Sequence, residues 1–346
     1  MLNVYKLTQA DKWNEIVKSF SNADVYYTSG YAKGFFLHGD GEPLLFHFEN
    51  ETVRGINVVM LRDIADAPCF KNKLPKEKFF DVSTPYGYGG WLIEGSGNKK
   101  ELFAAYEAWC KENGIISEFV RFHPVLKNFE VVEDAYDVIP LGNTVTLDLE
   151  SEDVIWANFT SKNRNTIRKA QKNNLTVEKG LNEEVLASFK TLYKMTMDKI
   201  HATDYYYFKD EYYDSILKEL KESSQIFYVK TAENQIIAAS IIFKEGSALH
   251  YHLSGSNPEY RNLAPTNLLL WEAALWGAKN GCKTFHLGGG VGSAKDALLD
   301  FKKSFYRGEL TCFSIGKKIF DQEKYNMLLL KRDLAEKSNF FPEYRA

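Results

Sequence analysis

The sequence predicts an α/β chain with mixed sheets, divided into two domains of similar plan. Three observations carry that prediction. Residues 246–308 read as strand, loop, long helix, strand, glycine-rich turn and short helix. Two pairs of strand-like runs, residues 43–48 with 53–61 and 225–231 with 235–243, are each joined by a short polar connection, as β-hairpins are. Both halves also repeat one order of elements: helices, a hairpin, more strand, a long helix, then a strand. At 346 residues there is room for two ordinary domains, which we place at residues 1–150 and 151–314.

Composition narrows the class. With 45% hydrophobic and 26% charged residues, the chain has the balance of a soluble globular protein with sizeable cores. No run approaches the ~18 apolar residues that span a bilayer. The N-terminal MLNVYKLTQADKW lacks an apolar signal core, which predicts a cytoplasmic protein with no integral membrane segment. Cys69, Cys110, Cys282 and Cys312 are scattered with no CxxC pair, so neither disulfides nor a cysteine zinc site is expected. The net charge of −3 confines any nucleic-acid contact to a local patch.

In order along the chain, residues 3–7 form a short edge strand. Thr8 caps a helix over 9–20 whose inner face carries Trp13, Ile16 and Val17. A second helix over 26–36 is capped near Thr28 or Ser29, and the first hairpin follows. Residues 100–113 are helical up to Gly114, and 116–122 are a strand whose end carries Arg121, His123 and Pro124. A strand over 144–149 leads to a helix that starts at Ser151. Helices over 183–199 and 209–221 precede the second hairpin. Residues 248–253 then alternate as a half-buried strand does. Pro265 suits the first turn of the long helix and Gly281 its C-terminal cap, with Leu268, Trp271, Leu275 and Ala278 at helical spacing between them. Residues 283–287 are the next strand, ended by Gly288, Gly289 and Gly290. Residues 311–315 make a last strand, and 321–337 a closing helix with Tyr325, Leu328, Leu329 and Leu334 inward.

Several chemistries lack their parts. No GxSxG, HExxH or GxxxxGKS/T occurs, which sets aside serine hydrolases, zinc proteases and P-loop enzymes. His250 and His252 project alike from one strand, but no third ligand stands at suitable spacing, so no metal site is expected. Residues 288–292 lack the GxGxxG spacing and downstream acid of a dinucleotide site and read as a tight turn.

Two stretches invite a functional reading. Residues 81–91, DVSTPYGYGGW, have glycines that let a backbone approach a ligand, with Tyr86 and Tyr88 offering rings and hydroxyls. A bulged strand exit whose tyrosines only pack fits that composition equally well. Residues 161–172, SKNRNTIRKAQK, put Arg164, Arg168 and Lys172 on one helical face, with Lys162 and Lys169 nearby and no acid. A solvated surface helix and a phosphate-binding face weigh about equally there.

The strand, the loop Arg261-Asn-Leu-Ala-Pro265 and the long helix together resemble the central unit of the GNAT acyltransferase fold. With PYGYGG and RNTIRKAQK added, the chain from about Tyr26 to Tyr325 resembles the FemABX branch of that superfamily. The resemblance implies tandem GNAT-like domains, with residues 315–346 returning to complete the first. It implies an aminoacyltransferase that moves an amino acid from aminoacyl-tRNA to an amino group of a peptidoglycan precursor, a nucleotide- or lipid-linked muropeptide. The enzyme would be a monomer, with no cofactor beyond that co-substrate. By the same resemblance, Lys302 of the pair Phe301-Lys302 stabilises the reacting carbonyl, with Lys303 as the neighbouring alternative. Tyr251, on the strand that lines the cleft in this fold, hydrogen-bonds the acyl donor or the peptide. Tyr86, Tyr88, Lys33 and Arg121 are the candidate substrate-binding residues; Arg164, Arg168, Lys169 and Arg261 are the candidate tRNA- or phosphate-binding ones.

The acyl donor divides the readings. GNAT enzymes that use acetyl-CoA cradle its pyrophosphate on backbone amides of a loop written R/Q-x-x-G-G/A. Here Arg261 is kept, but Ala264 replaces the first glycine, and Pro265, which has no amide hydrogen, the second. This favours the tRNA ester over CoA. A CoA-dependent N-acyltransferase on a small amine or sugar nucleotide is one alternative; a non-catalytic RNA- or glycopeptide-binding module is another. Nothing between Lys199 and Gln225 is long enough for the helical arm of some FemABX proteins, so the chain resembles the compact ones.

Overall fold

The first strand, β1 (Leu2–Tyr5), is followed by a 3-10 turn over Leu7–Gln9 and then by α1 (Ala10–Ser19). Thr8 therefore lies inside the turn; the N-cap of α1 falls on Gln9, without a side-chain bond. Trp13, Ile16 and Val17 are buried, as their spacing predicts. Val25–Tyr27 is a 3-10 turn, and Thr28 caps α2 (Ser29–His38) by accepting from the Tyr31 amide. The coordinates form a computed structural model that describes residues 1–332, 338 and 340–346.

By its internal contacts the chain divides into two units, Met1–Leu141 with Phe313–Ala346, and Gly142–Cys312. In the first, β2 (Glu42–Glu49) and β3 (Val53–Asp63) form the expected hairpin, with Phe46 opposite Asn57. β3 also pairs with β4 (Phe80–Ser83) and β5 (Leu92–Gly95). α3 (Lys100–Glu112) then crosses to β6 (Ile115–Arg121), which lies parallel to β4. The core between them is aromatic: Tyr106 meets Phe46 at 4.9 Å and Trp91 at 5.1 Å between centroids, both edge to face. That geometry adds about 0.5–1.5 kcal/mol per pair to the area buried.

β7 (Asp137–Asp148) starts at Asp137, well before the predicted Thr144. Ser151 caps α4 (Glu152–Asn158) and Thr160 caps α5 (Ser161–Lys172). The next strand, β8 (Thr176–Gly180), was not read from the sequence: its TVEKG is short, polar and at an edge, where one-sided burial writes no pattern. α6 (Glu183–Lys199), α7 (Asp210–Glu219), β9 (Ser224–Lys230) and β10 (Ile236–Glu245) follow. Then come β11 (Ala248–Ser256), α8 (Pro265–Lys279), β12 (Thr284–Gly288) and α9 (Ala297–Lys303). The second unit's strands run in the order β7-β12-β11-β10-β9-β8. α8 is its central support, with Leu268, Leu269, Leu270, Trp271, Ala273 and Ala274 all buried. Apolar residues on every side mark a helix packed all round, and Leu269→Ala would remove about 2–5 kcal/mol.

β13 (Thr311–Ile319) pairs antiparallel with β6 from Ile315 to Ile319 in the first unit, and α10 (Gln322–Arg332) buries Tyr325 and Leu328. The rest of the predicted closing helix, residues 333–337 with Leu334, lies outside the described residues. Near the C-terminus, Tyr344 is fully buried and its hydroxyl donates to Asp81 at 3.1 Å. Among the described residues no helix is long and apolar enough to cross a membrane.

Candidate active site

β11 and β12 are parallel and paired from Ala248↔Thr284 to His250↔His286. There they part. β12 stays with β7 through Gly288↔Val145, while β11 continues along β10 to Ser256. Parallel strands that separate at their carboxyl ends leave a crevice, the usual ligand position in α/β sheets. Tyr251 is the first residue of β11 beyond the last pair.

The other wall is the turn after β12. The Asp296 carboxylate accepts from the Leu299 amide at 2.8 Å and from the Val291 amide at 2.9 Å. One side chain thus caps α9 and ties down the turn. The glycines are needed for closeness: a Cβ on Gly290 would lie 2.2 Å from the Ala294 carbonyl oxygen.

Lys302 reaches this turn from α9. Its Nζ donates to the Gly289 carbonyl at 2.7 Å and stands 6.0 Å from the centre of the Tyr251 ring. The residue is 8% exposed. Burial lowers its pKa to about 8, against a smaller upward pull from Asp296. Lys303, its neighbour, is exposed and pairs with Asp300 at 3.7 Å. The two adjacent lysines are therefore unlike, and only Lys302 belongs to the crevice. Phe301 packs on Phe305 at 5.3 Å, holding α9 to the core. Burial raises the Tyr251 phenol above its ordinary pKa, with Ser254 and Ser240 pulling the other way, and keeps it neutral.

An ammonium that gives one N–H to Gly289 keeps two more for a ligand. At pKa about 8 it is mostly charged near neutrality and releases a proton at small cost. Held away from water, such a donor acts strongly on an oxyanion that develops beside it.

The basic helix divides in two. The Arg164 guanidinium donates to the carbonyl of Trp156 at 3.3 Å and to that of Phe159, satisfying acceptors at the C-terminal end of α4. Arg168 lies 5.2 Å over the Trp156 ring. Both are engaged with their own chain. Lys162, Lys169 and Lys172 remain exposed. Arg261 is also exposed, in a 3-10 turn over Pro258–Leu263. Ala264 takes the left-handed conformation (φ 57°, ψ 47°) and Pro265 opens α8. The bend a glycine would make is thus kept without the amide hydrogen at position 265.

The remaining sequence-predicted residues lie in the first unit. The Tyr86 carbonyl accepts from the Tyr31 hydroxyl at 2.6 Å, and its ring meets Phe35 at 5.8 Å. Tyr88 packs against Tyr26 at 5.4 Å and His123 at 5.6 Å. Gly87, at φ 91°, lets the loop close: a Cβ there would come within 2.7 Å of the Tyr26 ring. The rings of Tyr86 and Tyr88 pack while staying partly exposed, an arrangement compatible with both readings of this loop. Lys33 is half-buried on α2, and Arg121 stands 5.1 Å over the Phe119 ring. Sequence reasoning missed the Gly289 carbonyl and Asp296; an Asp three residues before Leu299 was a legible cap signal.

Comparison with known proteins agrees with this architecture. The acetyltransferase (GNAT) domain family matches residues 161–303, from the start of α5 to Lys303. No curated protein matches the chain. Among solved structures, FemX is 15% identical, with a TM-score of 0.65 over 94% of this chain and 99% of its own. L-PGS from Bacillus licheniformis is 15% identical, with a TM-score of 0.56 over 94% of this chain and 97% of that one. The C-terminal domain of a putative lysylphosphatidylglycerol synthetase from Agrobacterium fabrum is 10% identical, with a TM-score of 0.55 over 94% and 95%. Residues 161–303 thus match the acetyltransferase (GNAT) domain family, and the chain as a whole has the fold of FemX.

Proposed function

We propose that the chain transfers an amino acid from aminoacyl-tRNA to an amino group of a peptidoglycan precursor, in the cytoplasm and without a further cofactor. The observation that carries this reading is the buried Lys302, fixed on the Gly289 carbonyl beside Tyr251 where β11 and β12 part. The acceptor amine, neutral when bound, attacks the ester carbonyl. A carbon–nitrogen bond forms, the ester carbon–oxygen bond breaks, and the proton lost by the amine ends on the ribose hydroxyl. The Lys302 ammonium donates to the developing oxyanion, and the Tyr251 hydroxyl orients the acyl group. No enzyme nucleophile is required, because holding the two substrates in line supplies much of the rate.

The donor assignment rests on Ala264 and Pro265, which leave the loop before α8 short of amides for a pyrophosphate. The exposed Lys162, Lys169 and Lys172, with Arg261, supply charge for a phosphate backbone. For the acceptor, the likeness to FemX favours a muropeptide; the L-PGS likeness makes a lipid headgroup the competing acceptor. The test is to incubate the protein with charged tRNAs and either a muropeptide precursor or phosphatidylglycerol vesicles. A mass gain of one amino acid on the precursor is expected. Acylation supported by acetyl-CoA and not by charged tRNA overturns the donor; aminoacylation of the lipid alone overturns the acceptor.

A further inference from the structure

β11 carries one residue more than β10 where they pair. Ile241 faces Leu253 and Ile242 faces Tyr251, so His252 is the extra residue of a β-bulge. A bulge interrupts the alternation of faces and re-aims the side chains around it. Here Ser254, past the bulge, faces Ser240 of β10 and accepts from its hydroxyl at 2.9 Å. His252 turns to α7 instead, where its Nε2 is 2.6 Å from the Tyr212 hydroxyl. Packed rings hold both partners: Tyr212 stacks on Phe208 at 4.5 Å, and His252 meets Phe243 at 4.5 Å. Burial, with His250 beside it, lowers the His252 pKa to about 3. The imidazole is therefore neutral, and its Nε2 shares one hydrogen bond with the Tyr212 hydroxyl. The transfer step described above uses neither residue.

We propose that Tyr212 and His252 are positioning residues, whose hydrogen bond locks the bulge of β11 and so holds the Tyr251 ring against Lys302. The physical reason is register. A strand that slips by one residue sends each side chain to the opposite face, and an unanchored bulge is where such a slip begins. Anchoring the extra residue to a neighbouring helix fixes which side chain points into the crevice. The proposal rests on reading Lys302 and Tyr251 as the reactive cluster, and the test keeps the two ideas apart.

Tyr212→Phe and His252→Phe each remove the hydrogen bond and keep a ring; His252→Gln returns a hydrogen-bonding amide near the Nε2 position. The first readout needs no substrate: the 19F resonance of 3-fluorotyrosine placed at position 251. Both phenylalanine variants should move or broaden that resonance, and His252→Gln should bring it back. The second readout is aminoacyl transfer, where kcat should fall about tenfold with KM for the donor nearly unchanged. The double phenylalanine variant should be no worse than either single one. Should His252→Phe not fold, Tyr212→Phe, which deletes one hydroxyl, carries the same test. An unmoved resonance in the folded phenylalanine variants overturns the proposal, and so does unchanged transfer despite a moved resonance. If the resonance moves but the wild-type protein transfers from no charged tRNA, the positioning stands and the donor reading falls.

Discussion

The two units build the same crossover and end it differently. In the first, β4 and β6 are parallel and paired up to Ser83↔Phe119; in the second, β11 and β12 are parallel and paired up to His250↔His286. Beyond the last pair the first unit closes on itself. Gly89 returns to bridge Phe122, and the rings of Tyr26, Tyr88 and His123 pack together. His123 is held by the buried Asp24 at 3.0 Å. The second unit leaves Tyr251 and a buried lysine at the equivalent point. One crevice holds a satisfied polar cluster among rings, the other an ammonium that burial disfavours. A group kept in a costly state is better evidence of chemistry than the crevice itself.

Lys302→Met should therefore give the largest effect, and of two signs. Transfer should fall by about 10²–10³ in kcat, the usual loss when an oxyanion donor is removed. Stability should rise. The ordinary lysine value of 10.5 and the folded value of about 8 differ by 2.5 units, roughly 3 kcal/mol at 1.36 per unit. Between those two values the unfolded chain binds more protons, so wild-type stability climbs as pH rises from about 8 to 10.5 and carries the full penalty at pH 7. Since the variant leaves the Gly289 carbonyl without its donor, we expect a net gain of about 1–2 kcal/mol in urea unfolding at pH 7, shrinking at pH 10. An activity loss accompanied by destabilisation would make Lys302 a structural residue. The kcat profile should also fall above pH about 8, as Lys302 loses its proton, and Lys302→Arg should lose that alkaline limb.

Gly87→Ala tests the other half of the comparison. The added methyl meets Tyr26 and the Tyr31 hydroxyl, and φ is 91°. Overpacking plus the conformational cost should destabilise the first unit by about 2–4 kcal/mol. A chemical denaturation curve gives the value. If the variant is as stable as wild type yet binds the acceptor poorly, the loop belongs to a ligand and not to the core.

The sequence made the second crossover legible because each element was long and carried its own punctuation. Pro265 opens α8, Gly281 follows its end, and β12 stops at the glycine run. Lys302 was legible only through family resemblance, since one buried lysine and one exposed lysine are the same letter side by side. What separates them is which face of α9 meets Gly289, a tertiary fact. The basic helix failed to be uniform for a similar reason. Arg164 and Arg168 serve α4 and Trp156, groups five to twelve residues upstream that periodicity does not link to them. β8 and the first half of β7 were missed because edge strands and solvated strand ends obey no alternation.

That division of the basic helix gives the third prediction. Lys162→Glu with Lys169→Glu should weaken tRNA binding and flatten its salt dependence, with little change in Tm. Arg164→Ala should do the reverse: it removes carbonyl partners from the end of α4 and lowers stability by about 1 kcal/mol, while the salt slope for tRNA stays close to that of wild type. Filter binding at several salt concentrations separates the two. Equal salt slopes for the lysine variant and the wild type would return α5 to a solvated surface helix.

The smallest effect belongs to Ala264. Its left-handed conformation costs an alanine roughly 1 kcal/mol, which a glycine avoids, while glycine gains freedom in the unfolded chain. Ala264→Gly should then change stability by no more than about 0.5–1 kcal/mol, in the stabilising direction, in urea unfolding. The same variant restores the glycine of an acetyl-CoA loop but leaves Pro265 without an amide hydrogen. If the proline is what excludes pyrophosphate, CoA affinity by calorimetry should stay weak in Ala264→Gly and strengthen only when Pro265→Gly is added. A strong CoA complex in the single variant would mean that one methyl group, and not the missing amide, had set the donor.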